Sequence, residues 1–180
     1  MTTGQAVQKE PQPFETNRVR YCPDRPFPPY RFISGVTPHP VIDVQGHSYG
    51  KKEERLSFMA PEDWAKNEPY LYAVDLYNFN YWWEAHEEWE KIWKMTERTD
   101  RYGQFLQGLI QISAGMIKWW IGNEKGMEKL LRDGTRRLAS VGQSEFMGLE
   151  IGRQIEKVTL FLESKKQRNY PFIDLLVYWQ

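Results

Sequence analysis

The chain of 180 residues carries 24 Lys and Arg against 24 Asp and Glu, so its formal net charge is zero. A balanced chain lacks the basic field that phosphate backbones require, which argues against nucleic acid as a main partner. Its one cysteine, Cys22, cannot close an intrachain disulfide, and no segment has the length and composition of a membrane span, so we expect a cytoplasmic protein that does not enter a membrane.

The first third of the chain is rich in proline, since ten of the eleven prolines lie at or before Pro69. Residues 1–17 are polar and have no hydrophobic period, so the sequence predicts a loose terminus there. Residues 18–60 contain too many prolines for a long helix but too many apolar side chains for a solvated linker. They predict an ordered, extended arm that packs across a helical body.

From residue 61 onward the hydrophobic period is helical, which predicts an all-α domain over residues 61–180. Pro69 favours a first helical turn, Asn80 is a candidate N-cap for the second helix, and Pro171 separates a last apolar segment that we expect to dock. Short connections favour antiparallel neighbours, so the body is expected to be an up-and-down bundle of about five helices. The predicted helices cover residues 69–77, 81–95, 101–121, 124–139 and 145–164.

The second predicted helix places an ionisable pair inside an aromatic face. At about 100° per residue, His86 and Glu90 lie one turn apart within the face that includes Trp83 and Trp93, whereas Glu84 falls on the opposite, polar face. A buried carboxylate without a partner is costly, so other polar groups are expected to face this pair.

The third predicted helix is apolar nearly all round and has one strip of glutamines. Gln107 and Gln111 either face His86 and Glu90 across the interior or point to solvent, and the pattern favours neither alternative. Gly108, beside the strip, would allow a neighbouring backbone to approach closely.

The pattern His86-Glu87-x-x-Glu90 has the spacing of a metal-binding helix. Ligands at i and i+4 on one helical face can share a metal ion, and the intervening Glu87 could act as general base on a bound water. A histidine and a carboxylate would suit Zn, Mn or Fe. Ion pairs at i,i+4, of Glu87 with Lys91 and of Glu90 with Lys94, explain part of the same pattern without any function.

The arm holds the other two histidines of the chain. His39, Asp43 and His47 are spaced by four in a turn-rich segment, and they could complete a metal site with the second helix if the arm crosses the mouth of the bundle. The alternative is that these side chains cap local turns and fix the arm by hydrogen bonds.

At these residues the chain resembles a known family, the domain of unknown function 309 (DUF309), whose members are often described as predicted metal-dependent hydrolases. The most specific pattern is Glu-Ala-His-Glu-x-x-Glu-x-x-Trp at 84–93 followed by Gln-Gly-Leu-Ile-Gln at 107–111. The resemblance also extends to residues 76–78, 104–106 and 122–123, and segments of the arm resemble an extension found in some members. It implies an all-α fold built around the His-Glu motif, and Asn78, Gln107, Gln111 and Trp83 are the candidates for lining or supporting the site.

Two functions remain open from the sequence. In the first, a metal-dependent hydrolase binds its metal through His86 and Glu90 with arm ligands, uses Glu87 as base, and acts on a small-molecule substrate. In the second, a non-catalytic binding or structural module uses the His, Glu and Gln cluster as a buried hydrogen-bond network. The sequence leaves the oligomeric state open.

Overall fold

The computed structural model describes residues 9–52 and 55–176, and five α-helices form its body. Each helix packs against the next one along the chain, as the predicted up-and-down bundle requires, and the proline-rich arm lies across it. None of the helices within the described residues combines the length and apolar character needed to cross a bilayer. The helices are α1 (Glu68–Asn78), α2 (Trp82–Trp93), α3 (Arg101–Trp120), α4 (Glu124–Ser140) and α5 (Ile151–Ser164).

Three of the helices begin at polar residues that cap them. The side-chain oxygens of Asn67, Asp100 and Asn123 accept hydrogen bonds of 3.2, 2.7 and 2.9 Å from the backbone N–H three positions further on. Each bond satisfies one of the N–H groups that the first turn of a helix leaves without a partner. The starts of α1, α3 and α4 are therefore set locally, which is why the sequence predicts them closely.

Asn80 does not cap α2 as predicted, because it ends α1 instead. Its φ of 68° is left-handed, its N–H donates to Tyr77, and the N–H of Tyr81 donates to Leu76 at 2.8 Å. This pair of bonds is the Schellman arrangement that closes a helix C-terminus. The Asn80 side chain is directed to the N-terminal segment, where it donates to the carbonyl of Gln12 at 2.6 Å.

The fifth helix begins later than predicted, because a small hairpin replaces its first turns. The strands β1 (Glu145–Phe146) and β2 (Leu149–Glu150) pair antiparallel, with Phe146 opposite Leu149. Both turn residues, Met147 and Gly148, have positive φ, as a tight two-residue hairpin turn requires. Gly148 also packs directly against the ring of Trp64, which leaves no room for a side chain.

Glycines allow α3 and α4 to approach closely. A Cβ added to Gly134 would lie 2.8 Å from the carbonyl oxygen of Gly108, and one added to Gly108 would lie 3.1 Å from the carbonyl oxygen of Gly134. The two helix backbones therefore touch here, which confirms the close approach predicted at Gly108.

Both ends of the described chain are tied to the aromatic core. Residues 1–8 lie outside the described residues, but Phe14, within the terminus predicted to be loose, packs edge-on against Trp119 and Tyr170. At the other end, the Asn78 amide exchanges two hydrogen bonds, of 2.8 and 2.9 Å, with the backbone of Ile173. The predicted docking of the last segment is therefore seen for residues 172–176, and residues 177–179 of that segment lie outside the described residues.

Candidate functional site

The arm is fixed to α1 by one buried carboxylate. Asp75 is only 1% exposed, and it accepts hydrogen bonds of 2.8 Å from the backbone N–H groups of both Tyr21 and Cys22. The guanidinium of Arg20 contacts the same carboxylate at 3.3 Å. A single side chain of α1 therefore orders three consecutive residues of the arm.

A buried arginine fixes the arm a second time, at the junction of α1 and α2. Arg31 donates from Nε to the carbonyl of Phe79 at 2.9 Å, and its guanidinium lies 4.1 Å from the centre of the Tyr81 ring. The same guanidinium pairs with Glu10 at 3.1 Å. These contacts hold the following arm residues against the start of α2.

Glu84 meets the arm from α2. Its side chain is 5% exposed, and Oε1 accepts the backbone N–H of Phe32 at 2.8 Å while Nε2 of His47 lies 3.4 Å away. The second oxygen, Oε2, is buried and has no hydrogen-bond partner. The helical wheel places Glu84 on the polar face of α2 correctly, but the arm covers that face, so the side chain is not solvated.

A cleft of about 630 Å³ lies between the arm and helices α1 and α2. The side chains of Glu84, His47 and Tyr72 lie in its wall. Burial raises the pKa of Tyr72 to about 12, so its phenol keeps its proton at neutral pH. A cleft of this volume with a few convergent polar groups is typical of small-molecule sites. The wall also includes Arg25, Phe27, Ser48, Lys51, Lys52, Trp83, Glu87, Glu88 and Lys91.

Most charges in the cleft are already paired. Glu88 contacts Lys91 at 2.7 Å and Arg25 at 3.6 Å, so the two cations and this carboxylate largely satisfy one another. Glu87 contacts the imidazole of its neighbour His86 at 3.3 Å. Glu84 is also one of the residues that line the cleft, but its Oε2 is buried beneath the surface and has no hydrogen-bond partner.

The His-Glu pair of the predicted metal site is only half-buried and is paired locally. The side chains of His86 and Glu90 are 26% and 31% exposed, which is more than the interior position expected for them. His86 lies against Glu87, and Glu90 forms an ion pair with Lys94 at 3.3 Å. The Glu90–Lys94 pair matches the alternative that needs no metal, whereas the Glu87–Lys91 pair of that alternative is not formed, because Lys91 pairs with Glu88.

The three candidate ligands of the arm do not meet at this pair. Nδ1 of His39 accepts the backbone N–H groups of Val41 and Ile42 at 3.3 Å, and Asp43 caps the N–H of Gln45 at 2.8 Å. His47 reaches α2 but contacts Glu84. Across residues 9–52 and 55–176, no three His, Cys, Asp or Glu side chains form a group that could hold a metal ion. The described residues therefore do not assemble the predicted ligand set.

The glutamine strip of α3 faces α4. Oε1 of Gln111 accepts from Nε of Arg137 at 3.1 Å, and Gln104 accepts from the same guanidinium at 2.8 Å. Of the two alternatives left open for Gln111, facing His86 and Glu90 or facing solvent, neither describes it fully, because its amide oxygen binds Arg137 of the neighbouring helix. Gln107 is partly buried on the same helix.

The other two candidates lie in different places. Asn78 holds the C-terminal segment instead of lining the cleft. Trp83 does line the cleft, and its ring contacts Phe32 and His39 of the arm edge-on, with ring centres 5.2 and 5.5 Å away. Trp83 is therefore the aromatic candidate that connects the motif on α2 with the arm.

The contact with His86 lowers the pKa of Glu87 below its ordinary value of 4.5. Because the pKa of Glu87 is lower in the folded protein than in the unfolded chain, the contact stabilises the fold at pH values above the unfolded-state pKa. This stabilisation is lost as the pH falls through the folded-state pKa. We expect carbon-detected NMR titration to show the Glu87 carboxyl titrating below 4.5 and moving upward in His86→Ala. If the pKa of Glu87 is the same in His86→Ala, His86 is not the cause of the shift. The matched control is Lys91→Met, because Lys91 contributes least to lowering this pKa and its removal should change the titration less.

Sequence reasoning does not identify Asp75, Arg31 or Glu84 as the residues that organise the site. In the sequence each is a charged residue next to large apolar side chains. Many exposed charged residues have such neighbours too, so this pattern does not distinguish the three. Their partners lie more than 45 positions away along the chain, so only the packed arm shows their role.

The family model described as a domain of unknown function (DUF309) matches residues 70–130. The match covers about a third of the chain, contains α2 and α3 entirely, and supports the DUF309 family. The arm residues that complete the cleft lie outside the matched range. Comparison with curated proteins and comparison with solved structures each gave no match.

Proposed function

We propose that the chain is a binding module that holds a small ligand in the cleft between its arm and helix α2. The observation that carries the proposal is the cleft of about 630 Å³ itself, whose wall combines the polar side chains of Glu84 and His47 with the rings of Tyr72 and Trp83. Glu84 holds the arm against this wall through the Phe32 N–H, so the cleft is already formed before a ligand enters, as is usual for small-molecule sites.

Within this proposal the residues have separate roles. Asp75 and Arg31 fix the arm, so the side of the cleft that the arm forms is held in place. Trp83 and Tyr72 supply apolar surface, while Glu84 and His47 supply polar atoms at the junction of arm and helix. No covalent step is needed.

Metal-dependent hydrolysis stays a prediction from the sequence. It requires at least three protein ligands and an open position for water, as catalytic zinc sites have. The candidate ligands have other partners instead: His86 lies against Glu87, Glu90 pairs with Lys94, and His39 and Asp43 accept backbone N–H groups. We therefore place the module ahead of the enzyme.

The proposal can be tested by NMR screening of a fragment library against the full-length protein, observed at the indole N–H of Trp83. We expect a subset of fragments to shift this resonance, assigned from the spectrum of Trp83→Phe, and to leave that of Trp64, which lines a different part of the surface, unchanged. A library without any effect on Trp83 would contradict the module. Stoichiometric metal in the purified protein, lost in a His86→Ala, Glu90→Ala double variant, would favour the hydrolase.

A further inference from the structure

A second depression of the surface lies beside the β-hairpin and shares no lining residue with the cleft between the arm and α2. Its volume is about 600 Å³, and four aromatic side chains line it: Phe58, Trp64, Tyr102 and Phe146. The ring centres of Phe58 and Phe146 lie 6.2 and 6.4 Å from that of Tyr102, while Trp64 packs on Gly148 of the hairpin turn. The four rings therefore surround one place on the surface, which we call the aromatic groove.

The aromatic groove offers part of these rings to solvent. Phe58 is 60% exposed, although aromatic side chains are usually among the most buried of a chain. Trp64 and Phe146 are half-buried, whereas Tyr102 is buried. Aromatic side chains that are exposed together on a surface are typical of sites that bind another molecule.

One polar group of the groove is open to a ligand as well. The indole N–H groups of Trp89 and Trp93 are buried, but that of Trp64 is not, and no acceptor meets it within residues 9–52 and 55–176. It can therefore donate to a carbonyl of a bound chain. A helix uses its carbonyls internally and a strand uses them in its sheet, whereas an extended polyproline II (PPII) segment leaves its carbonyls available.

The charges of the aromatic groove are mostly negative. Its lining includes three carboxylates, of Glu62, Asp100 and Glu145, against the one guanidinium of Arg101. In the part of the chain that the structure describes, none of these four side chains forms an ion pair, although Asp100 caps α3. Because complementary charges determine which partners a surface accepts, this excess of carboxylates favours a basic partner.

We propose that the aromatic groove binds a basic, proline-rich segment of a partner protein in the PPII conformation. Proline rings pack well on aromatic side chains, and a PPII segment is already extended, so it loses little conformational entropy on binding. Its carbonyls meet the Trp64 N–H, and its Arg or Lys side chains meet the carboxylates of Glu62 and Glu145. The site is independent of the small-ligand cleft, so either proposal can fail without the other.

The probe is the peptide acetyl-Pro-Pro-Arg-Pro-Pro-Arg-Pro-Pro-amide, titrated into the full-length protein while the Trp64 indole resonance, assigned with Trp64→Phe, is followed by NMR. We expect a saturable shift of this resonance and none of the Trp83 indole, which lines the other cleft. Two matched peptides, one with Ala for every Pro and one with Glu for every Arg, should each bind about tenfold or more weakly. Added salt should weaken the first peptide, because exposed charges are screened.

Variants of exposed residues test the protein side without disturbing the core. Phe58→Ala removes an exposed ring and should weaken the first peptide about fivefold or more. The double variant Glu62→Gln, Glu145→Gln should lower both the affinity and its dependence on salt. Asp63→Asn is the matched control, because this carboxylate is exposed next to Glu62 but does not line the groove, and the affinity should stay unchanged.

Equal binding of the proline-free peptide would overturn the proposal, and so would unchanged affinity in both Phe58→Ala and Glu62→Gln, Glu145→Gln. A Trp64 resonance that does not respond to millimolar peptide would overturn it as well. Two other occupants would have the same consequence. A Trp64 resonance that moves with protein concentration alone would assign the groove to a second copy of the chain, and one that moves in Trp179→Ala would assign it to the last residues of the chain itself.

Discussion

Replacing Asp75 by alanine is expected to lower the free energy of unfolding by about 3 kcal/mol, because it leaves buried donors without an acceptor. The lost partners are the backbone N–H groups of Tyr21 and Cys22, together with the guanidinium of Arg20. Urea unfolding followed by tryptophan fluorescence measures the change. Limited proteolysis should in addition cut the arm of the variant faster than that of the wild type, since this carboxylate fixes the arm to α1.

Two variants make the Asp75 result specific. Burial raises the pKa of Asp75, so Asp75→Asn avoids burying a charge and keeps one acceptor, and it should lose less stability than Asp75→Ala. Asp63→Ala removes a carboxylate that is 56% exposed and should change the stability by less than about 0.5 kcal/mol. A loss for Asp75→Ala as small as that for Asp63→Ala would show that the arm does not depend on this carboxylate.

Trp82→Ala is expected to cost about 3–5 kcal/mol, the range for removing a large buried aromatic side chain. The indole is 1% exposed and contacts the rings of Phe14, Trp119 and Tyr170. Its Nε1 also donates to the hydroxyl of Tyr170 at 2.8 Å, and that hydroxyl donates to the carbonyl of Tyr77 at 2.6 Å. The substitution therefore opens a cavity and removes one member of a buried hydrogen-bond chain.

Trp82→Phe separates the two contributions. It retains most of the ring packing but removes the N–H, so thermal and urea unfolding should place its stability between those of the wild type and Trp82→Ala. Burial raises the pKa of Tyr170 well above its ordinary value, so this hydroxyl stays protonated and keeps donating to Tyr77 in both variants. Equal losses in the two variants would mean that the hydrogen bond, and not the packing, dominates at this position.

The sequence predicts those parts of the fold that depend on neighbouring residues. The predicted starts of α1, α3 and α4 lie within one residue of the observed ones, because local caps three positions away set them, and the bundle follows from helical periodicity. Asn80 shows the limit of this reasoning, because asparagine is suited both to starting a helix and to the left-handed residue that ends one. Only the observed backbone, with φ of 68°, decides between the two.

For the candidate site, the sequence alone determined the class of fold, the family resemblance on α2 and α3, and which side chains of α2 lie on each face. The tertiary structure decided what covers those faces. Glu84 belongs to the polar face by periodicity, yet it is buried because residues 32 and 47 of the arm reach it from 52 and 37 positions away. Helical periodicity depends on contacts within a few residues, whereas the docking of an irregular, proline-rich arm depends on distant partners that no local pattern encodes.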